Sequence, residues 1–161
     1  MLSGDHQGGI PIFSGTERVS LDEKGRVLFA KRKRDDLGRD FVLAQSEIGV
    51  IAAYPRVTWM EMIREVLQYP TINPGRSKYG RLMVADAQTE NNFDTPGRIV
   101  IPAALRKIGN MTDKLVIVGN VEKVEIWSEQ EWEKFKKDED SYGMDRLNKI
   151  TDALRQMRDW A

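Results

Sequence analysis

Apolar residues come in short runs along this chain, each closed by Gly, Asp, Pro or a burst of charge, and the order of the runs repeats. Polar and apolar positions alternate over 17–22, and a second short run covers 26–30. Alternation with a period of two predicts strands with one buried face. A short helical segment is expected at 31–37. Two more strands, at 41–45 and 50–54, meet at a turn, and an amphipathic helix follows at 57–68. From residue 90 the same order returns: strands at 90–94 and 98–101, a short helix at 103–108, strands at 115–118 and 123–127, and a helix at 129–137. Val57-Thr58 and Ser128 stand where N-caps belong, and Ser128 with Glu131 has the capping-box spacing.

The wording repeats as well as the pattern. SLDEKGRVLFA (Ser20 to Ala30) and NFDTPGRIVIPA (Asn92 to Ala103) each carry Asp, two residues, Gly-Arg and an apolar run. Asp22 aligns with Asp94, Gly25 with Gly97 and Arg26 with Arg98, each pair 72 residues apart (94 − 22). Leu37-Gly38 matches Ile108-Gly109, Phe41 to Pro55 matches Lys114 to Ser128, and Trp59 matches Trp132. The chain therefore reads as one unit written twice. A unit of about 70 residues buries little core alone. Its short strands also leave open edges that a second copy can cover. The expected architecture is a β-rich α+β body in which the two copies interleave.

Turn chemistry is explicit in the second copy. Thr95-Pro96-Gly97-Arg98 puts Pro and Gly in the type II order, with Gly taking the positive φ. Gly25 is expected to do the same in the first copy. Asp22 and Asp94 can accept hydrogen bonds from turn amides, so a structural reading accounts for Asp22, Gly25, Asp94, Pro96 and Gly97. No backbone rule requires the Arg that follows.

Composition narrows the function. Of 161 residues, 40% are apolar and 31% charged, as in folded soluble domains. Lys plus Arg and Asp plus Glu are both 25, so nucleic-acid binding must rest on local charge. There is no Cys, which removes disulfides and thiolate metal sites. The single His, His6, lies in a Gly-rich opening, and no phosphate-cradling Gly-rich loop or Gly-x-Ser-x-Gly setting occurs. No enzyme activity, metal or cofactor is expected. No apolar run approaches the roughly 18 residues of a membrane helix, and the N-terminus lacks a secretory layout. A cytoplasmic protein with no membrane partner is expected.

Charge is concentrated in one place. Lys24, Arg26, Lys31, Arg32, Lys33 and Arg34 fall within eleven residues that hold no acid (24 to 34). Two readings stand: a solvated helix face beside Asp35-Asp36, or a surface that displaces counterions from DNA phosphates. The second copy is poorer, with Arg98, Arg106 and Lys107, so the first copy is expected to carry more of any DNA contact. The linker cations Arg76, Lys78 and Arg81 share no helical face. Trp59, Trp127 and Trp132, with Met60, Met62 and Met83, are expected in the core. Met144, Leu147, Ile150, Leu154 and Met157 have helical spacing and predict a C-terminal helix that packs on the body or meets a partner.

The doubled Asp-x-x-Gly-Arg phrase resembles the MraZ family of bacterial transcriptional regulators. So do Ile101-Pro102, EIWSEQEWEKF (Glu125 to Phe135) and NPGRSKYGR (Asn73 to Arg81). One departure stands at Ala30, where the family's first repeat carries Pro. The resemblance implies two SpoVT/AbrB-type swapped-hairpin repeats interleaved into a β-barrel-like domain. It implies protomers closed into a ring on double-stranded DNA, at repeated promoter sites of the cell-division and cell-wall gene cluster. There the ring would act as a nucleoid-associated repressor. The family's DNA-contacting Arg falls on Arg26 and Arg98. The organisation expected is a tail (1–11), repeat one (12–70), a connector (71–86), repeat two (87–140) and a C-terminal helix (141–161). AbrB-like folds also serve as antitoxins, so a protein-interaction module is the alternative. An Arg26 buried in an internal ion pair would overturn the DNA reading.

Overall fold

A computed structural model describes residues 11–46, 49–139 and 144–160. The tail expected at 1–11 lies outside these except for Pro11. The described strands are β1 (Thr16–Ser20), β2 (Arg26–Leu28), β3 (Phe41–Gln45), β4 (Ile51–Tyr54), β5 (Gln88–Asn91), β6 (Arg98–Val100), β7 (Lys114–Asn120) and β8 (Lys123–Ser128). The helices are α1 (Lys31–Leu37), α2 (Arg56–Val66), α3 (Pro74–Tyr79), α4 (Ala103–Ile108), α5 (Glu129–Glu139) and α6 (Met144–Asp159). A π-helical turn, Gly80–Val84, continues α3. The chain forms two compact units, one ending at Ser128 and one beginning at Glu129.

The repeats exchange strands. All sheet pairings are antiparallel, and the larger sheet runs β1-β7-β8-β4-β3-β5. β1 of the first repeat lies on β7 of the second, while β5 of the second lies on β3 of the first. β2 and β6 pair only with each other, as a separate ribbon. Its register puts Arg26 opposite Val100, Val27 opposite Ile99 and Leu28 opposite Arg98. That register is unchanged when the copies are swapped, so a pseudo-two-fold axis passes between Val27 and Ile99. The β4–β8 register, with Ala52 opposite Glu125, obeys the same symmetry.

Side-chain alternation then sorts the core. Leu43, Ile51, Ala53, Leu115, Ile117, Val124 and Ile126 point from the sheet to one side, where Val27, Phe29, Ile99, Ile101, Leu37 and Leu105 meet them. On the sheet's other side Val42, Ala44, Ala52 and Tyr54 pack under Trp59 of α2. The Tyr54 and Trp59 rings sit 5.9 Å apart, tilted by 47°. Trp59 and Trp127 are buried as expected, Trp132 is half-buried, and Met60 is exposed.

The strand expected at 90–94 is instead β5 at Gln88–Asn91, and two further expectations change. The strands close no barrel: β1 and β5 end the sheet at opposite edges, and the three-residue β2 and β6 bond to each other instead of bridging those edges. Helix α2 starts at Arg56, after Pro55, so Thr58 is not its cap but lies buried within it. Within the second unit, Trp132 and Phe135 stack at 5.5 Å with Lys136 Nζ over the indole. There Ile150, Leu154, Met157 and Trp160 are exposed.

Ala30 precedes α1 with φ −61° and ψ 144°, and Pro102 precedes α4 with φ −58° and ψ 148°. The first repeat thus adopts the proline conformation without the proline, and α1 begins where expected. Ala30→Pro should raise stability by about 0.5 kcal/mol by restricting the unfolded chain, read as a shift in the urea midpoint at constant slope.

Candidate nucleic-acid interface

Each doubled phrase folds into the same small cage. Asp22 accepts hydrogen bonds at Oδ1 from the backbone N–H of Lys24 (2.9 Å) and of Arg26 (2.8 Å). Its Oδ2 accepts from Arg26 Nε at 2.7 Å. Asp94 does the same with the backbone N–H groups of Gly97 (3.0 Å) and Arg98 (2.7 Å), and with Arg98 Nε (3.0 Å). Both carboxyls are held below the ordinary 3.8, foremost by the backbone N–H of Arg26 and of Arg98, which favour the anion.

The hydrogen-bonded turn closes one residue earlier than expected. Gly25 N–H donates to Asp22 C=O (3.0 Å) and Gly97 N–H to Asp94 C=O (2.9 Å). Gly is therefore the fourth residue of the turn, not the third. It still needs its positive φ, 78° at Gly25 and 102° at Gly97. That conformation lets the strand resume after a tight turn.

Glycine is required there for a second reason. A Cβ on Gly97 would stand 2.6 Å from Nε and Cζ of Arg34, which belongs to α1 of the other repeat. A Cβ on Gly25 would overlap Arg106 Nη1 from α4. Arg34 Nε donates to Phe29 C=O (3.0 Å) and Arg106 Nη1 to Ile101 C=O (2.9 Å). The backbone completes the exchange: Phe29 N–H donates to Gly97 C=O (3.1 Å) and Ile101 N–H to Gly25 C=O (2.8 Å). Each repeat's helix thus clamps the other repeat's turn.

The ribbon these clamps hold has two unlike faces. Val27 and Ile99 point into the core. Arg26, Leu28, Arg98 and Val100 form the outer face, because residues opposite each other across a ladder share a side. The Arg26 and Arg98 side chains are 30% and 33% exposed, so neither is buried despite its ion pair. Each carboxylate engages only Nε. Four of the five guanidinium N–H donors have no partner among the described residues. The cage fixes each arginine and leaves its Nη edge outward. Charge counting set the second copy apart, yet the fold places its Arg98 beside Arg26.

The other predicted cations separate. Lys24 and Arg32 are exposed and make no ion pair among the described residues. Lys31 is exposed and pairs with Asp35 at 2.8 Å. Lys33 is buried, donating to Glu17 Oε2 (2.9 Å) and Ser14 C=O (3.0 Å). Arg34 is half-buried in its clamp. Arg76 donates to Tyr69 C=O and Thr71 Oγ1, where the connector leaves repeat one. Four cations opening α1 oppose the helix dipole. Tertiary contacts account for Lys33 and Arg34, and an i,i+4 pair for Lys31, which leaves Arg32. Among the described residues no group of three or more His, Asp or Glu is placed to hold a metal.

Leu28, Val100 and the clamp role of Arg106 did not emerge from the sequence. A signal was available for the last: Arg34 and Arg106 share the 72-residue spacing of the doubled phrase (106 − 34).

A duplicated unit whose copies trade strands and brace each other's Asp-x-x-Gly-Arg turns is an α+β pseudo-dimer of two interleaved repeats. The chain belongs to the MraZ family. The family model described as "MraZ protein, putative antitoxin-like" matches it twice, over residues 12–82 and 83–149. The chain is 38% identical over 133 residues to the "Transcriptional regulator MraZ" of a Marinomonas species, covering 79% of this chain and 87% of that one. It is 34% identical over 124 residues to the protein of that name from Cutibacterium acnes (77% and 87% covered). It is 30% identical over 145 residues to that from Lachnoclostridium phytofermentans (90% and 96%).

Gly97→Ala should cost about 2 kcal/mol or more, from forbidden φ and the Arg34 contact. In a denaturation double-mutant cycle, adding Arg34→Ala should recover part of that loss, which additivity forbids. The Asp cages set an acid limit. Because both carboxyls titrate lower folded than unfolded, their stabilisation is complete above 3.8 and fades as pH falls through the lower folded values. The Asp22→Asn, Asp94→Asn double variant should therefore show a shallower loss of urea midpoint than the parent as pH falls below 3.8.

Proposed function

We propose that this protein is a transcriptional regulator that binds double-stranded DNA through the outer face of the β2–β6 ribbon, without catalytic activity. One observation carries the reading: Arg26 and Arg98 stand on a single face, each held at Nε by its own Asp, with the Nη edge outward. A two-stranded ribbon fits the major groove, and arginine engages guanine O6 and N7 in bidentate fashion there. Exposed Lys24 and Arg32, with Lys31, extend the first-repeat side toward phosphates. Lys33 and Arg34 drop out of the contact set, being occupied within the fold. The transcriptional-regulator name of the relatives supports the same role.

The finer reading follows the family resemblance. Identical protomers close into a ring, each built from repeats 12–70 and 87–140 around the 71–86 connector. The ring sits on repeated promoter sites of the cell-division and cell-wall gene cluster, in the cytoplasm at the nucleoid, and represses. A net charge of zero suits this arrangement. One patch binds weakly, while many patches on repeated sites gain by effective concentration.

A second reading, a partner-binding or antitoxin module, draws on exposed Ile150, Leu154, Met157 and Trp160 of the C-terminal segment. A stoichiometric small protein co-purifying with the full chain, and lost when these residues are replaced by Ser, would favour it.

The decisive measurement is binding to duplex from upstream of the chain's own coding sequence. Arg26→Ala should lower affinity at least tenfold, since a bidentate contact is worth about 1–3 kcal/mol. Arg98→Ala should cost less, because fewer free cations flank it, and equal losses would refute that asymmetry. Affinity should fall with salt, and Arg32→Ala should reduce the log–log slope by about one if Arg32 meets a phosphate. A footprint lacking short, regularly spaced repeats would refute the ring-on-repeats reading.

A further inference from the structure

The outer face of the ribbon holds two residues that neither the turn chemistry nor the charge explains. Leu28 and Val100 are 49% and 50% exposed, while Val27, Phe29, Ile99 and Ile101 on the same two segments are at most 4% exposed. A half-buried antiparallel ribbon ordinarily puts polar side chains on its wet face. Here the wet face carries two arginines and two aliphatics, in the cross-strand pairs Leu28–Arg98 and Arg26–Val100. The pseudo-two-fold axis exchanges one pair with the other.

We infer that Leu28 and Val100 are specificity-determining contacts that read thymine 5-methyl groups in the major groove beside the bases engaged by Arg26 and Arg98. The inference rests on the DNA-binding role proposed above and adds to it which residues choose among bases. The occupant is argued from charge. Any surface that covers Leu28 and Val100 also covers two guanidinium groups whose own carboxylates engage only Nε. The covering surface must therefore offer hydrogen-bond acceptors next to apolar groups. A protein face that buried four outward N–H donors on each arginine without supplying acceptors would pay heavily in desolvation. The major groove supplies both kinds of group side by side: guanine O6 and N7 accept, and the thymine methyl is the apolar feature of its floor. An aliphatic side chain one cross-strand step from an arginine spans neighbouring base pairs, so each pair suits a guanine–thymine neighbourhood, and the two pairs face opposite strand senses.

The test replaces methyl by hydrogen and changes nothing else. The duplex from upstream of the coding sequence is compared with copies in which single thymines are replaced by deoxyuridine, using fluorescence anisotropy with the full chain at fixed salt. The parent should lose roughly fourfold affinity per contacted methyl at a small set of positions in each protected site. Leu28→Ala or Val100→Ala should bind the thymine and uracil duplexes equally at its position. Both side chains are half-exposed, so these variants should fold, and circular dichroism checks that they do. Equal binding of both duplexes by the parent at every position would overturn the inference while leaving DNA binding intact. So would a Leu28→Ala, Val100→Ala variant that keeps the full thymine preference but changes its mass in light scattering, which would assign the face to contact between copies. Failure to bind any duplex at low salt would overturn the DNA-binding role and this inference together.

Discussion

Two backbone hydrogen bonds between the repeats, each backed by a guanidinium that bonds to the strand end preceding its own helix, hold the ribbon in place. Phe29 and Ile101 donate to Gly97 and Gly25, and Arg34 and Arg106 close over the same glycines. Without them the three-residue ribbon β2–β6 has little to keep it in register, and the Arg-bearing turns lose their backing. The ribbon is also the lid of the larger core cluster, through Val27, Phe29, Ile99 and Ile101. Stability and the presentation of Arg26 and Arg98 are therefore one problem, solved by one set of contacts.

The proposed contact surface inherits its geometry from that arrangement. An arginine on a flexible stem loses rotamer freedom when it binds. Here the adjacent carboxylate has already restricted it, through Nε, in a turn whose backbone N–H groups hold the carboxylate in turn. The aspartate therefore serves fold and ligand at once. This also answers the concern that an internal ion pair would disqualify Arg26: the pair uses one donor and leaves the fork edge outward.

Much of the fold was legible because duplication prints each signal twice. The order of elements, the Gly positions and the helices at 31–37 and 103–108 follow from pattern alone. Exchange of strands was expected from open edges, but the choice of partner, β1 on β7 and β5 on β3, is a long-range matter that local periodicity does not carry. A closed barrel was expected and is not formed: β1 and β5 end the sheet at opposite edges, and β2 and β6 pair only with each other. The six-cation cluster was legible as charge, but not as five different environments. Lys33 is buried against Glu17 by contact between distant segments, and Arg34 is held by a glycine 63 residues on (97 − 34). Leu28 and Val100 read as ordinary strand residues until the register showed which face they occupy.

The strand exchange also constrains how the chain can be made. β1 ends at Ser20, yet the strand it pairs with begins only at Lys114. Ribosomes add residues at about 5–20 per second, so for many seconds the first repeat has emerged with its sheet partner still unwritten. β3 and β4 can pair with each other, but β1 and the outer edges of that hairpin must stay soluble through the interval without their native neighbours. A nascent chain of this kind can find the wrong copy as readily as its own second half, and crowded polysomes would favour exchange between neighbouring chains.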